Sequence, residues 1–203
     1  MELREALSHI AEIRASVAAT ERFRGYRALP VATSGLLALL AAVAQPLLIS
    51  NPSVDLAGYL TVWLTAAVVG ATAAGSGIWL RHRTTHLPLS REVTRLAVSQ
   101  FAPCLVAGGL VTLVIARHAP QVGWMLPGLW QVLFSLGVFA SYRLLPPPTV
   151  GIGIFYLIAG VVNLANSSTN TAFSPWAMGL PFSIGQLATA AILYWHLERD
   201  HAE

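Results

Sequence analysis

Residues 144–197 of this chain read LLPPPTVGIGIFYLIAGVVNLANSSTNTAFSPWAMGLPFSIGQLATAAILYWHL, a stretch without a single Asp, Glu, Lys or Arg. A helix needs roughly 20 apolar residues to cross the hydrocarbon core of a bilayer, so this stretch is long enough for two spans. The polar run NSSTNT at residues 166–171 separates the two. The stretch therefore predicts a hairpin of two transmembrane helices.

The rest of the chain is organised in the same way. Charge-free segments at 28–54, 56–80, 96–116 and 118–142 each hold one further span. A buried helix of a soluble protein would carry a polar face at helical period, and these segments have none. We therefore predict an all-α integral membrane protein, with six transmembrane helices in hairpin pairs within residues 29–203. The predicted spans cover about 31–49, 57–80, 94–116, 121–142, 150–166 and 175–197.

The basic residues indicate how these spans are oriented. All twelve are arginine, and eleven of them fall on one side of a six-span bundle. Basic residues near span ends are retained in the cytoplasm, so we expect both termini to be cytoplasmic. The absence of lysine suggests a GC-rich genome, and we expect a multi-pass protein of the bacterial cytoplasmic (inner) membrane. The eleven are Arg4, Arg14, Arg22, Arg24, Arg27, Arg81, Arg83, Arg91, Arg95, Arg143 and Arg199.

Arg117 is the exception, because the same topology places it on the outer side next to His118. We consider two roles for this outer-face cation. It is either an anchor for lipid headgroups or the rim of an internal cavity.

Residues 1–28 form a separate predicted element, a cytoplasmic amphipathic helix ahead of the first span. Its apolar residues recur at helical spacing, while Glu and Arg occupy the other positions. Such a helix either packs along the membrane interface under its own bundle or, through residues 2–26, docks on a cytoplasmic protein partner. The apolar positions are Leu3, Ala6, Leu7, Ile10, Ile13 and Val17.

The second predicted span carries two neighbouring rows of small residues. Small residues four apart let helix backbones approach closely, which is how apolar helices associate in lipid. We expect this face to pack against another span, with a homo-oligomer contact as the alternative. The rows are Ala66, Gly70 and Ala74, and beside them Ala67, Ala71 and Gly75.

The candidate site is neutral, because no charged residue falls at mid-span. Amide side chains in lipid must find partners, so they usually face the bundle interior. Interhelical hydrogen bonding alone would explain them. The sharper hypothesis is a small cavity between spans three to six, lined by neutral amides next to helix-weakening prolines. The amides are Gln100, Gln131, Asn163 and Gln186. The candidate helix breaks are Pro103, Pro127 and Pro181.

The sequence gives little support for a metal site or a cofactor site. His82 and His86 are spaced for one helix face, but they stand among arginines, which disfavour a cation. His118 and His196 would lie at opposite membrane faces and could not share one haem. We therefore predict no metal, no cofactor, no nucleic-acid partner and no catalysis. The lipid bilayer is the expected environment.

A faint similarity between residues 105–142 and 157–194, at an offset of 52, suggests a parallel duplication of one hairpin. For the function we favour a non-catalytic, transporter-like or accessory membrane bundle. One alternative is a membrane subunit that binds haem or quinone. The other is a regulatory membrane protein that presents its N-terminal helix to a cytoplasmic partner.

Overall fold

The computed structural model describes residues 28–84, 88–166 and 171–198, and these residues are helical apart from their connections, with no strand among them. Residues 1–27 of the predicted N-terminal helix, His86 and the last residues of the chain lie outside this description. The six α-helices are α1 (Ala28–Leu48), α2 (Leu56–Thr84), α3 (Pro88–His118), α4 (Leu126–Ala140), α5 (Thr149–Ala165) and α6 (Pro175–Leu193).

Shorter helical pieces adjoin the last three helices. A 3-10 helix, Pro120–Met125, leads directly into α4, and a second, Tyr142–Leu144, follows it. A π-helical turn, Tyr194–Glu198, extends α6. The fourth predicted span therefore consists of two kinds of helix rather than one continuous α-helix.

Five segments are long and apolar enough to cross a membrane. These segments and the all-helical structure agree with the prediction of a helical membrane bundle. The remaining helix, α5, is equally apolar but has only 17 residues. It is about 25 Å long, against about 30 Å of hydrocarbon, so the sixth span stays a prediction. The five segments are Ala28–Leu48, Leu56–Ala73, Val98–His118, Pro120–Ala140 and Pro175–His196.

Proline sets several helix boundaries. We predicted the third span from about residue 94, but α3 starts earlier, at Pro88. The first turn of a helix tolerates proline, because the N–H that proline lacks has no partner there in any helix. Pro175 likewise stands at the first position of α6.

The helices neighbour one another in the order α2, α1, α6, α5, α4, α3. The most extensive interfaces join α1 to α6 and α4 to α5, whereas α2 and α3 touch only slightly. The main apolar core lies at what we call the distal end, at which α1, α3 and α5 end and α2, α4 and α6 begin. It includes Tyr59, Trp63, Leu126 and Met178.

Glycines allow the closest of these approaches. A Cβ atom at Gly160 of α5 would lie 2.8 Å from the carbonyl oxygen of Gly128 on α4, and 2.9 Å from the backbone nitrogen of Val132. A Cβ at Gly128 would in turn lie 2.9 Å from the carbonyl oxygen of Gly160. The two backbones therefore touch, as in other helix pairs that associate in lipid through small residues.

Candidate functional site

Three helices meet at a backbone carbonyl that Pro181 leaves free. A helix residue normally donates its N–H to the carbonyl four positions earlier, and proline has no N–H to donate. The carbonyl affected in α6 is that of Ala177. It accepts hydrogen bonds from Gln131 Nε2 of α4 at 2.7 Å and from Asn163 Nδ2 of α5 at 3.1 Å. Two side-chain amides thus replace the missing backbone donor and tie α4 and α5 to α6.

Gln131 is the most enclosed member of this group, with an exposed fraction of 0%. Its Nε2 also lies 3.7 Å from the sulfur of Met178. Its Oε1 is buried and has no hydrogen-bond partner among the described residues. Because an amide oxygen can only accept, this atom is a buried acceptor that lacks a donor.

A second buried amide, Gln45, uses both of its ends. Its Nε2 donates to the carbonyl oxygen of Phe173 at 2.8 Å, and its Oε1 accepts from Trp63 Nε1 at 2.8 Å. These two bonds join α1 to α2 and to the segment before α6. Gln45 was missing from the amides that the sequence singled out. Its position in a charge-free run is the signal that indicated the others, and a proline, Pro46, follows it directly.

Aromatic rings pack against this second amide at the distal end. The ring of Tyr59 lies 5.0 Å from that of Phe173, edge to face, 6.3 Å from that of Trp63 and 6.4 Å from that of Trp130. Tyr59 is fully buried, and its hydroxyl has no hydrogen-bond partner among the described residues. Trp130 Nε1 donates a hydrogen bond to the hydroxyl of Thr112 at 2.8 Å.

The four predicted amides do not form one group. Gln131 and Asn163 come together at the carbonyl of Ala177. Gln186 lies elsewhere on α6, against Gly35 of α1. Gln100 lies on α3, and its Oε1 is a further buried acceptor without a partner in the described part of the chain. The structure thus supports interhelical bonding for two of the four, and the cavity remains a hypothesis.

The three candidate prolines differ in their effects. Pro127 stands in the first turn of α4, just after the 3-10 helix, rather than inside a helix. Pro103 lies within α3 and Pro181 within α6, and both helices continue through them. Among these three prolines, in the described part of the chain, only Pro181 frees a carbonyl that accepts hydrogen bonds from side chains of other helices.

The charged and imidazole side chains that the structure describes lie at or beyond the ends of the helices. Arg117 and His118 close α3 and are exposed. His196 is also exposed, and its Nδ1 lies 2.9 Å from the carbonyl oxygen of Ile192. Arg143 Nε donates to the Tyr142 hydroxyl at 3.2 Å, and this bond raises the pKa of the guanidinium, which stays protonated. Over the described residues, no three His, Cys, Asp or Glu side chains cluster as metal ligands would.

Comparison of the chain with protein-family models, with curated proteins and with solved structures found no match.

Proposed function

We propose that this chain is a six-span protein of the bacterial cytoplasmic membrane, with both termini in the cytoplasm, and that it acts as a non-catalytic, transporter-like or accessory bundle. One observation carries the proposal. The Ala177 carbonyl, freed by Pro181, accepts amides from two other helices, and the buried Oε1 of Gln131 beside it has no partner. Interrupted helices free backbone groups that line solute sites in membrane bundles. The polar groups at this position are neutral, which favours an uncharged solute.

The packing of α5 supports six spans in spite of its length. A Cβ atom at Gly153 would lie 2.6 Å from the Phe139 ring, near the end of α4. At the other end of α5, the side chain of Leu164 reaches Gly128, near the start of α4. The two helices therefore run antiparallel along their whole lengths. If α4 crosses the membrane, α5 returns beside it, and a span of 17 residues lies at the lower limit of the known range.

The arginine distribution supplies the proposed orientation, because eleven of twelve arginines fall on one side of the six spans. Reporter fusions test both proposals. Fusions at Thr85, Pro147 and His201 should report the cytoplasm, and fusions at Asp55, Ala119 and Ser168 the outside. The pair Pro147 and Ser168 is decisive for α5. If both fusions report the same side, α5 does not cross the membrane, and the two termini lie on opposite sides of it.

A permeability assay tests the functional part of the proposal. We expect vesicles that contain the purified protein to admit a small neutral solute, with glycerol and urea as probes, faster than empty vesicles do. Gln131→Leu should abolish the difference, because it removes the polar group at the centre of the site. Gln186→Leu is the matched control, since Gln186 has no hydrogen bond among the described residues and lies away from the Ala177 carbonyl. Equal permeability with and without the protein would leave only the accessory role.

A further inference from the structure

Two fully buried polar atoms near the distal end have no partner among the described residues, the hydroxyl of Tyr59 and Oε1 of Gln131. A buried polar group without a hydrogen bond costs about 1–3 kcal/mol, and native structures contain few of them. In lipid the cost cannot be relieved by water at the helix surface. Two such atoms in one region therefore indicate that something else binds there.

Both residues border the same packed layer. Tyr59 and Met178 belong to one contiguous apolar core, and Gln131 Nε2 lies 3.7 Å from the sulfur of Met178. The ring of Tyr59 is also 6.4 Å from that of Trp130, the residue before Gln131. Tyr59 of α2 thus belongs to this layer, and Gln131 of α4 reaches it at Met178 of α6.

We propose that this layer holds an internal water-binding site, formed by Oε1 of Gln131 and the hydroxyl of Tyr59. The amide oxygen accepts a hydrogen bond from the water, and the tyrosine hydroxyl can either donate a hydrogen bond to the water or accept one from it. Two protein partners meet the lower limit of what a buried water requires. Leu126 and Met178, buried in the same core, make the surroundings apolar and uncharged, so an ion would be strongly disfavoured.

This inference rests on the proposed function, because it assigns a bound molecule, water, to the neutral polar centre of the proposed site. The reporter fusions and the vesicle assay test the membrane topology and the permeability. The measurements below test the water site alone, in purified protein. The proposed function and the water site can therefore fail separately.

A double-mutant cycle tests whether the two groups share one bound molecule. Tyr59→Phe should lower the Tm by about 2–4 °C, because it removes a partner of the water. Combined with Gln131→Met, which already removes the acceptor, Tyr59→Phe should cause no further loss. Tyr156→Phe is the matched control, since that buried hydroxyl donates to the carbonyl oxygen of Phe182 at 3.4 Å. Its effect should be the same with and without Gln131→Met.

A second measurement needs no variant and covers the case in which Gln131→Met does not fold. In solid-state NMR of the unsubstituted protein in lipid, polarisation should pass from water to the side-chain amide of Gln131. Gln45 is the internal reference, because it is equally buried but both ends of its amide are already bonded. Equal Tyr59→Phe losses in both backgrounds of the cycle would overturn the shared site. Water transfer to Gln131 no stronger than to Gln45 would also overturn it.

Discussion

The α4–α5 pair and the α2–α3 pair contain similar residues but use them differently. On α4 and α5, Gly128 and Gly160 lie where any side chain would strike the backbone of the other helix. On α2 and α3, Gly75 and Gly109 have open space, with no atom within 4 Å of a Cβ placed on either. Glycine in an apolar helix therefore permits a contact without specifying one. The register of the neighbouring helix decides which glycines are used.

The same contrast extends to polar groups. Gln131 and Asn163, on α4 and α5, bond to a carbonyl of a third helix. On α2, Thr61 and Thr72 donate instead to carbonyls of their own helix, those of Ala57 and Val69. A hydroxyl that bonds within its helix adds nothing to the interface between helices. The two amides therefore strengthen an interface between helices, whereas the two threonines do not.

The largest predicted effect comes from filling the α4–α5 contact. Gly160→Ala should lower the free energy of unfolding by about 1–3 kcal/mol, because its methyl group would collide with backbone atoms that cannot move independently. Gly109→Ala, on the exposed face of α3, should be neutral or stabilise by about 0.5–1 kcal/mol through reduced backbone freedom. Reversible unfolding in detergent measures both. Similar losses for the two variants would contradict the contrast between the helix pairs.

The next effect concerns the freed carbonyl. The double variant Gln131→Leu/Asn163→Leu should cost about 1–3 kcal/mol, because it leaves the Ala177 oxygen buried without a donor. Either single substitution should cost less, since one amide remains. Adding Pro181→Ala should recover part of the loss, because alanine restores the backbone N–H that the carbonyl lacks. If Pro181→Ala brings no recovery in the unfolding assay, the link between the proline and the amides is wrong.

More of this site than of its surroundings could be predicted from the sequence. Pro181 lacks an N–H, so Ala177 could be identified from spacing alone, and the rule that amides in lipid need partners indicated Gln131 and Asn163. The same rule also indicated Gln100 and Gln186, which lie apart from this site, because it does not specify which way a side chain faces. The choice between them depends on helix rotation. Helix rotation follows from packing over many residues.

The small-residue rows of the second span show the same limit. The prediction that Gly70 packs against another span agrees with the structure, since a Cβ there would lie 3.3 Å from that of Ser34 on α1. In the neighbouring row, Ala67, Ala71 and Gly75 are exposed. Both rows have the same spacing, so spacing could not distinguish them. Only the position of α1 does so.

A smaller effect is expected at the second buried amide. Trp63→Phe should cost about 0.5–1.5 kcal/mol, because it removes the donor to Gln45 Oε1 and keeps most of the ring. Trp195→Phe is the control, since Trp195 is 58% exposed, whereas Trp63 is only 4% exposed. Thermal unfolding of the two variants in the same detergent gives the comparison. An equal loss for Trp195→Phe would mean that the indole bond to Gln45 adds nothing.

The smallest effect is expected on the open row of α2. Ala71→Leu should change the free energy of unfolding by less than about 0.5 kcal/mol, because Ala71 is exposed. Gly70→Leu, one position earlier, should destabilise the protein, because its side chain would meet Ser34. The mass of the detergent-solubilised protein should stay the same for Ala71→Leu. A drop in mass would instead assign the row to a contact between two copies of the chain, because the bulkier residue would then separate two backbones held together by small residues.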